Sequence, residues 1–194
     1  MKKILKKLFV LFSKAILSLF FDRKYLKGKW FEDKIDGWFW AWRSVWFQKI
    51  LGFNRRVPWP VSHQIIVGNP NDIIFDVDDL NNFQGFGKYF QSGYGKIVIG
   101  KGTLIASNVG IITGNHNPCK LEEHLPGKDV IIGENCWIGM NVVILPGVIL
   151  GPRTIIGAGS VVTHSFPEGN CIIAGNPARI IKKLECKDNN LGGE

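Results

Sequence analysis

The sequence IGENCWIGMNVVILPGVILGPRTIIGAGSVV, from Ile132 to Val162, decides the fold of this chain. Every sixth residue in it is aliphatic, and the same step recurs in a second block upstream. An α-helix repeats about every 3.6 residues and a β-strand about every two, so neither element explains a period of six. The aliphatic positions of the two blocks are Ile99, Ile105, Ile111, Ile132, Ile138, Ile144, Leu150, Ile156 and Val162.

A six-residue period is typical of a solenoid in which each repeat is one short strand and one turn. Three repeats close a triangular coil, and successive coils stack as parallel strands about 4.8 Å apart. The aliphatic residue points inward, and the Gly that often follows it permits a sharp corner. The pattern therefore predicts an all-β solenoid, the hexapeptide-repeat parallel β-helix. Apolar runs at residues 65–67, 73–75 and 97–99 predict strands of its earlier coils.

The repeat is interrupted once, because the interval from Ile111 to Ile132 is not a whole number of hexapeptides. Segment 117–129 within this interval is polar and has proline near both ends, which predicts a loop expelled from the solenoid. The predicted organisation is a basic N-terminal region (residues 1–60), a β-helix domain (61–184) and a polar tail (185–194).

Charge is distributed unevenly along the chain. Its 194 residues carry 24 Lys and Arg against 16 Asp and Glu, a net charge of +8. Residues 1–60 hold 14 basic and 4 acidic residues, a net of +10, whereas residues 61–194 have a net of −2. Six of the seven Trp also lie before residue 61.

The hydrophobic content limits the class of protein. A hydrophobic content of 45% excludes wholesale disorder, and no apolar run approaches the length of a membrane span.

The N-terminal segment 1–21, MKKILKKLFVLFSKAILSLFF, combines lysines with an apolar helical face. Ile4, Leu8 and Leu11 share that face, and Lys14 interrupts the apolar run, which argues against a signal peptide. A basic amphipathic helix followed by clustered Trp is typical of a segment that lies on an anionic membrane surface. The alternative is a helix that packs on its own domain or on a neighbouring subunit. No nucleic-acid motif is present, so we expect no nucleic-acid partner.

The cysteines form no C-x-x-C pair and match no disulfide framework, which favours reduced thiols and a cytoplasmic location. Together with the basic N-terminus, this suggests a peripheral protein at the inner face of the cell membrane. A zinc site built from His116, Cys119 and His124 is an alternative, but it lacks a fourth ligand and the usual paired spacing. We therefore expect no metal. The cysteines are Cys119, Cys136, Cys171 and Cys186.

Four further motifs accompany the repeats in a fixed order. They read IITGNHNP (111–118), GENCWIGMNVVILPGVILG (133–151), IGAGSVVTHSFPEGN (156–170) and AGNPARIIKK (174–183). With these motifs the chain resembles the hexapeptide-repeat acyltransferases, near the sugar and capsular-polysaccharide O-acetyltransferases, over roughly residues 60–183. The resemblance implies a left-handed β-helix, acetyl-CoA as the donor, and a homotrimer with its sites between adjacent subunits.

For catalysis, the resemblance implies that His116 is the general base, because a neutral imidazole can accept the acceptor hydroxyl's proton near neutral pH. The backbone N–H of Gly139 is the candidate donor to the negative charge that develops on the thioester oxygen. Asn115 is placed to orient the base or the acceptor. Either Glu122 or Glu123 is expected to hold the second imidazole nitrogen. The residues assigned to the substrate loop are Glu122, Glu123 and His124.

For coenzyme binding, the resemblance implies that Trp137 stacks along the pantetheine arm; a corner Trp that packs on a neighbouring coil is the alternative. Arg179 is suited to bidentate contact with phosphate. His164 stands where relatives often carry a basic residue. The full set of predicted coenzyme-binding residues is Trp137, Met140, Ala158, Thr163, His164, Arg179, Lys182 and Lys183.

The function expected from these features is acetyl-CoA-dependent O-acetylation of a sugar hydroxyl, in a surface-polysaccharide or lipid-linked saccharide precursor, by direct transfer. Two alternatives stay open. One keeps the chemistry but changes the acceptor to serine, an antibiotic hydroxyl or an amino sugar. The other is a non-catalytic β-helix that serves as a scaffold.

Overall fold

A helical segment precedes the solenoid. The computed structural model describes residues 2–185, so Cys186 and nearly all of the predicted tail 185–194 lie outside the described residues. The helices are α1 (Lys2–Leu17) and α2 (Asp36–Ser44), which a π-helical turn (Val45–Ile50) continues. Short 3-10 segments lie at Arg23–Tyr25, Pro70–Asp72 and Val77–Phe83.

The remainder of the described chain consists of short strands joined by tight turns. In chain order they are β1 (Ile66–Val67), β2 (Ile73–Phe75), β3 (Tyr89–Gln91), β4 (Ile97–Ile99), β5 (Leu104–Ile105), β6 (Gly110–Ile112), β7 (His116–Asn117), β8 (Lys120–His124), β9 (Val130–Ile132), β10 (Trp137–Ile138), β11 (Val143–Ile144), β12 (Ile149–Leu150), β13 (Thr154–Ile156), β14 (Val161–Val162), β15 (Cys171–Gly175) and β16 (Ala178–Lys183).

These strands build the three walls of a prism. Face A consists of β1, β3, β6, β11 and β14, and face B consists of β2, β4, β9 and β12. Face C consists of β5, β10, β13 and β15, with β16 added antiparallel at the edge. From β4 onward the chain visits faces B, C and A in turn, and neighbouring strands within each face are parallel. The parallel β-helix predicted from the repeat is confirmed.

The period-six residues stack in three columns inside the prism. Ile132 lies opposite Leu150, which follows it by one turn of three hexapeptides. Ile138 likewise lies opposite Ile156 on the next coil. All nine positions are buried, with at most 6% of the residue exposed at Ile105. Each buried aliphatic side chain contributes about 1.5–3 kcal/mol relative to an exposed one, so the columns add substantially to the stability of the prism.

Close approach of the backbones decides the residue type at the prism corners. A Cβ added at Gly133 would lie 2.7 Å from the carbonyl carbon of Gly151 on the next coil, so only glycine fits there. Other corners are turned by asparagine in the left-handed region, with φ of 55° at Asn135 and 61° at Asn141. Asparagine tolerates this conformation better than most residues because its short polar side chain can hydrogen-bond locally.

The interruption of the repeat is a β-hairpin rather than an irregular loop. Strands β7 and β8 pair antiparallel, and Lys128 N–H donates to the Thr113 carbonyl at 2.9 Å to close the root. The hairpin thus spans residues 113–128, while the sequence predicted a loop over 117–129. Ile99 still lies opposite Ile132 on the next coil, so the solenoid absorbs the inserted hairpin without losing register.

The N-terminal region packs on the first coils and shares one hydrophobic core with them. Trp59 is fully buried, and its ring meets those of Phe75 and Phe83 at centroid distances of 5.1 Å. Helix α1 packs on α2, where Trp42 Nε1 donates to Ser13 Oγ at 2.9 Å. None of the helices in the described part of the chain is long and apolar enough to cross a membrane.

Candidate active site

His116 lies in β7, on the hairpin that leaves the prism where the chain passes from face A to face B. Its Nδ1 is 2.7 Å from the carbonyl oxygen of Leu121 in the opposing strand. A carbonyl oxygen only accepts, so Nδ1 must carry the hydrogen and the neutral ring keeps its lone pair on Nε2. The ring is exposed in the single chain. In its neutral form the exposed His116 ring therefore carries its lone pair on Nε2, the nitrogen that Leu121 does not engage.

The glutamates expected to hold the second nitrogen of His116 do not do so in this structure. The Leu121 carbonyl takes that position. Glu123 instead accepts from Lys120 Nζ at 3.1 Å and from Asn117 Nδ2 at 3.4 Å, which pins the hairpin tip. The geometry of an antiparallel pair explains the difference, because a backbone carbonyl across the ladder is closer to the ring than a flexible, exposed carboxylate.

Asn115 lies at the root of the hairpin, one residue before His116. Its carbonyl accepts from the Leu125 N–H at 2.9 Å, which ties it to the returning strand. Its side chain is exposed and has no hydrogen-bond partner among the described residues. The Asn115 amide thus has its donors and acceptor available, one residue away from His116.

His124 lies directly across the ladder from His116, with the two ring centroids 4.2 Å apart. The hydroxyl of Tyr94 lies 2.9 Å from His124 Nε2, and these two rings are stacked at 4.8 Å. Tyr94 belongs to the preceding coil and was missed in the sequence. No local pattern marks it, because coil stacking alone brings it to a residue that is distant along the chain.

A second group of predicted residues lies on face C and on the edge where the chain turns from face C to face A. Trp137 points outward, is 55% exposed, and lies in register with Leu104 and Ile155. Met140, close after it in the chain, is also exposed.

The proposed role of Gly139 as an oxyanion donor is wrong for this structure. The Gly139 N–H donates to the Ile156 carbonyl of the next coil at 2.9 Å, so it completes the inter-coil ladder. The next N–H, that of Met140, has no hydrogen-bond partner in the part of the chain that the structure describes, and the same holds for Ala158 one coil on. The hydrogen bonds between coils thus use the N–H of Gly139, and the N–H of Met140, the next residue at the corner, stays unpaired.

Three of the C-terminal residues predicted to bind coenzyme come together at the last coil. Thr163 Oγ1 lies 3.1 Å from His164 Nδ1, and an Arg179 guanidinium nitrogen lies 3.4 Å from His164 Nε2. Lys182 and Lys183 are exposed farther along β16, where they pair with Ile172 and Cys171, at the opposite end of β15 from the partner of Arg179. We refer to the five predicted residues as the C-terminal basic group (Thr163, His164, Arg179, Lys182 and Lys183).

The cysteines of the solenoid are unsuited to act as nucleophiles. Burial raises the pKa of the Cys136 thiol, whose sulfur lies 3.3 Å from the Gly151 carbonyl oxygen. Burial also raises the pKa of Cys171. Cys119 is exposed at the hairpin tip. Within residues 2–185 no group of three or more His, Cys, Asp or Glu side chains is arranged to hold a metal ion, so the zinc alternative at His116 finds no support.

Two separate edges of the prism therefore carry the predicted residues. The hairpin group, Asn115, His116 and His124, lies at the edge between faces A and B, because the hairpin connects β6 to β9. Met140 lies at the edge between faces C and A, because it connects β10 to β11. A single chain does not bring the base and the free N–H of Met140 to one edge.

Comparison with known proteins supports the resemblance inferred from the motifs. Residues 129–164 match the family model described as bacterial transferase hexapeptide (six repeats). The galactoside O-acetyltransferase of Escherichia coli K12 is 39% identical over 97 residues, which cover 48% of this chain and 47% of that protein. WbbJ of the same organism, named for O-acetyl transfer in lipopolysaccharide biosynthesis, is 42% identical over 99 residues, covering 45% of this chain and 50% of that protein.

A solved structure shows the same architecture. A hexapeptide-repeat acetyltransferase from Vibrio cholerae O1 biovar eltor, complexed with acetyl coenzyme A, is 28% identical with a TM-score of 0.52, covering 63% of this chain and 69% of that one. The chain spans about half the length of the curated relatives it matches. The matched region thus carries the hexapeptide repeat of bacterial transferases, and the curated relatives described above are named O-acetyltransferases.

Proposed function

We propose that this chain is an acetyl-CoA-dependent O-acetyltransferase that acts on a sugar hydroxyl, in a surface-polysaccharide or lipid-linked saccharide precursor. The observation that carries the proposal is the His116 ring, whose Nδ1 is held by the Leu121 carbonyl so that Nε2 faces outward as a base. The names of the relatives, which include galactoside and lipopolysaccharide O-acetyl transfer, support a saccharide acceptor.

In the proposed reaction His116 Nε2 takes the proton of the acceptor hydroxyl, and the freed oxygen forms the new ester bond with the acetyl carbon. Acetyl-CoA supplies that acetyl group as an activated thioester. The proton held on His116 Nε2 then passes to the sulfur as its bond to the acetyl carbon breaks, so the products are the O-acetyl sugar and the free thiol. No acyl-enzyme is required, in keeping with the raised thiol pKa of buried Cys136.

In this proposal coenzyme A lies along the outside of the prism, where unpaired N–H groups and basic side chains can bind it. Met140 and Ala158 are exposed residues one coil apart whose N–H groups have no hydrogen-bond partner among the described residues, and in this proposal the Ala158 N–H donates to a carbonyl of the pantetheine arm. We reassign the oxyanion donor from Gly139 to the Met140 N–H, which is the unpaired one. The C-terminal basic group would meet the phosphates, with Arg179 able to make bidentate contact.

A homotrimer completes the site in this proposal, because the base and the Met140 N–H lie on different edges of one prism. Several exposed apolar side chains would be covered by neighbouring subunits, among them Leu121 of the hairpin at 69% exposed and Ile149 of face B at 42%. Left-handed coiling, implied by the resemblance, is part of the same proposal.

Sedimentation equilibrium tests the trimer. The measured mass should be three times the 21.8 kDa mass of the chain, and a monomeric active enzyme would contradict the shared site.

We further propose that the enzyme works as a cytoplasmic, peripheral protein at the inner face of the membrane. Helix α1 packs through its Ser13 and Leu17 side, both fully buried. Its opposite side is an apolar stripe in which Ile4 is 64%, Leu8 58% and Leu11 68% exposed. The five lysines of residues 1–21 face no acidic residue in that segment, which complements anionic lipid headgroups.

Replacement of the base is the direct test of the proposed activity. His116→Ala should lower kcat/KM by about 10³-fold, the usual range for loss of a general base, in an assay of coenzyme A thiol released with soluble galactosides, glucosides and amino sugars. His63→Ala is the matched control, since the His63 ring also packs on an aromatic ring, with its centroid 4.0 Å from that of Phe47, but lies before the first strand of the prism, β1. Retention of most activity by His116→Ala would refute the mechanism.

Coenzyme binding separates the enzyme from a scaffold. Saturating acetyl-CoA should raise the melting temperature of both the parent protein and His116→Ala, because the base is not a binding residue and a ligand stabilises the folded state by mass action. The absence of a shift in either protein would favour a non-catalytic β-helix.

A further inference from the structure

We propose that Tyr94 and His124 are positioning residues that hold the His116 ring in the orientation needed for proton transfer. The inference rests on the proposed function of His116. It goes further in assigning a role to Tyr94 and in giving His124 a role other than contact with the acceptor. The observation is a column of three rings, which we call the stack: Tyr94 is stacked on His124 with a centroid distance of 4.8 Å, and His124 packs on His116 at 4.2 Å with the two ring planes tilted by 37°.

Tyr94 anchors the stack on the rigid prism. It lies between β3 and β4, at the same edge as the hairpin but one coil earlier. The root of the hairpin is built around it, because a Cβ at Gly114 would lie 2.5 Å from Tyr94 Cγ, and one at Gly127 would meet both the backbone and the side chain of Tyr94. Both hairpin strands therefore leave the prism against this one residue.

His124 carries the support from the prism to the base. Its Nε2 lies 2.9 Å from the Tyr94 hydroxyl, which ties its ring to the coil below. Its ring then covers one face of the His116 ring, while the Leu121 carbonyl holds the edge of that ring at Nδ1. One contact at the face and one at the edge together restrict the orientation of the His116 ring, and neither engages Nε2.

Such support is needed because the hairpin has no core of its own. All five residues of β8 are exposed, and His116 is exposed as well. An exposed side chain without neighbours samples several rotamers, and a displacement of about 1 Å at a reacting group can cost about 100-fold in rate. A stack anchored on the prism replaces the packing that a buried base would have.

The experiment compares three variants in full-length protein. His124→Ala removes the ring and should lower kcat by about 10- to 100-fold, with KM for acetyl-CoA changed by less than about threefold. His124→Phe keeps a stacked ring and should recover part of that loss. Tyr94→Phe keeps the ring that the glycines pack on and removes only the hydroxyl, so a smaller loss of about three- to tenfold is expected.

Matched controls separate positioning from general destabilisation. Tyr89→Phe removes a hydroxyl from an outward residue of face A, and His63→Ala removes a histidine stacked on Phe47; both should keep the parent kcat. Should His124 contact the acceptor directly, His124→Ala would raise KM for the sugar and His124→Phe would not recover activity, which would overturn the positioning role.

A second readout does not depend on turnover. In protein with ¹⁵N-labelled histidine, assigned with His116→Gln and His124→Gln, neutral His116 should be the Nδ1–H tautomer alone. In His124→Ala the released ring should show a mixture of tautomers. A single Nδ1–H tautomer in His124→Ala, together with an unchanged kcat, would overturn the proposal. Failure of the proposed function would instead appear as no acetyl transfer by the parent protein, and failure of the proposed base as full activity of His116→Ala, while the tautomer measurement would still decide the role of the stack.

Discussion

Among single residues, Lys88 shows what the fold tolerates in its core. It is only 5% exposed, and its Nζ donates to the carbonyls of Asn82 at 2.8 Å and Gln84 at 3.2 Å. Burial lowers the pKa of Lys88 to about 8, because the charged form loses its hydration. The two carbonyls compensate only part of that cost, so a positive charge is held where the coils meet the N-terminal region.

Because burial lowers its pKa, Lys88 makes the free energy of unfolding depend on pH between about pH 8 and 10.4. Below pH 8 the lysine is charged in both the folded and unfolded states, and the folded state carries the full cost of burial. Between about pH 8 and 10.4 the folded state releases the proton while the unfolded state keeps it, so the contribution of Lys88 to stability rises with pH.

We expect the free energy of unfolding of the parent protein, relative to Lys88→Met, to rise by about 1 kcal/mol per pH unit across this window. Urea denaturation at pH 7, 8.5 and 10 measures it. Lys96→Met, at an exposed lysine, is the control, and its free energy of unfolding should change with pH in parallel with that of the parent protein. If the free energy of unfolding of Lys88→Met also changed with pH in parallel with that of the parent protein, Lys88 would have an ordinary pKa.

At the scale of elements, the hairpin is an insertion that the solenoid does not need. The coil that carries it is longer than three hexapeptides, yet Ile99 still stacks on Ile132. Removing residues 114–128 would place Ile111 one hexapeptide before Ile132 and so restore an unbroken repeat. The repeat that builds the prism is therefore independent of the segment that carries the proposed base His116.

Deletion of residues 114–128 should accordingly leave a folded prism without transferase activity. We expect far-UV circular dichroism close to that of the parent protein and one cooperative thermal transition, because solenoid stability comes from contacts between neighbouring coils. Acetyl transfer should fall to background, since His116 is gone. A deletion protein that aggregates or unfolds without a transition would show that the hairpin also supports the fold.

At the scale of the whole molecule, the charge of +10 in residues 1–60 and the exposed stripe of α1 lie in the same part of the chain. The combined replacement of Ile4, Leu8 and Leu11 by serine should abolish binding to vesicles of mixed phosphatidylcholine and anionic phosphatidylglycerol, because the stripe supplies the apolar contact. Transfer to a soluble sugar should persist, as the prism is unchanged. Co-sedimentation with the vesicles measures the first effect.

Two controls distinguish lipid from protein as the occupant of the stripe. Ile66→Ser, at a residue of face A that is 62% exposed, should leave vesicle binding unchanged. Vesicles of phosphatidylcholine alone should bind weakly, because the lysines then lack anionic partners. If the triple variant binds vesicles as well as the parent protein but changes the sedimentation mass, the stripe contacts a neighbouring subunit instead.

The sequence by itself determined the period of six, the parallel prism and the site of the insertion, while the candidate base His116 came from the resemblance of its motifs to a known family. The period and the prism follow from a local, repeated pattern, because each hexapeptide restates one inward aliphatic residue and one corner. Only the tertiary structure decided that Leu121 holds His116, that Gly139 has no free N–H, and that Tyr94 reaches His124. Those contacts join different strands or different coils, and their partners are selected by stacking geometry, which no pattern within a short stretch of chain encodes.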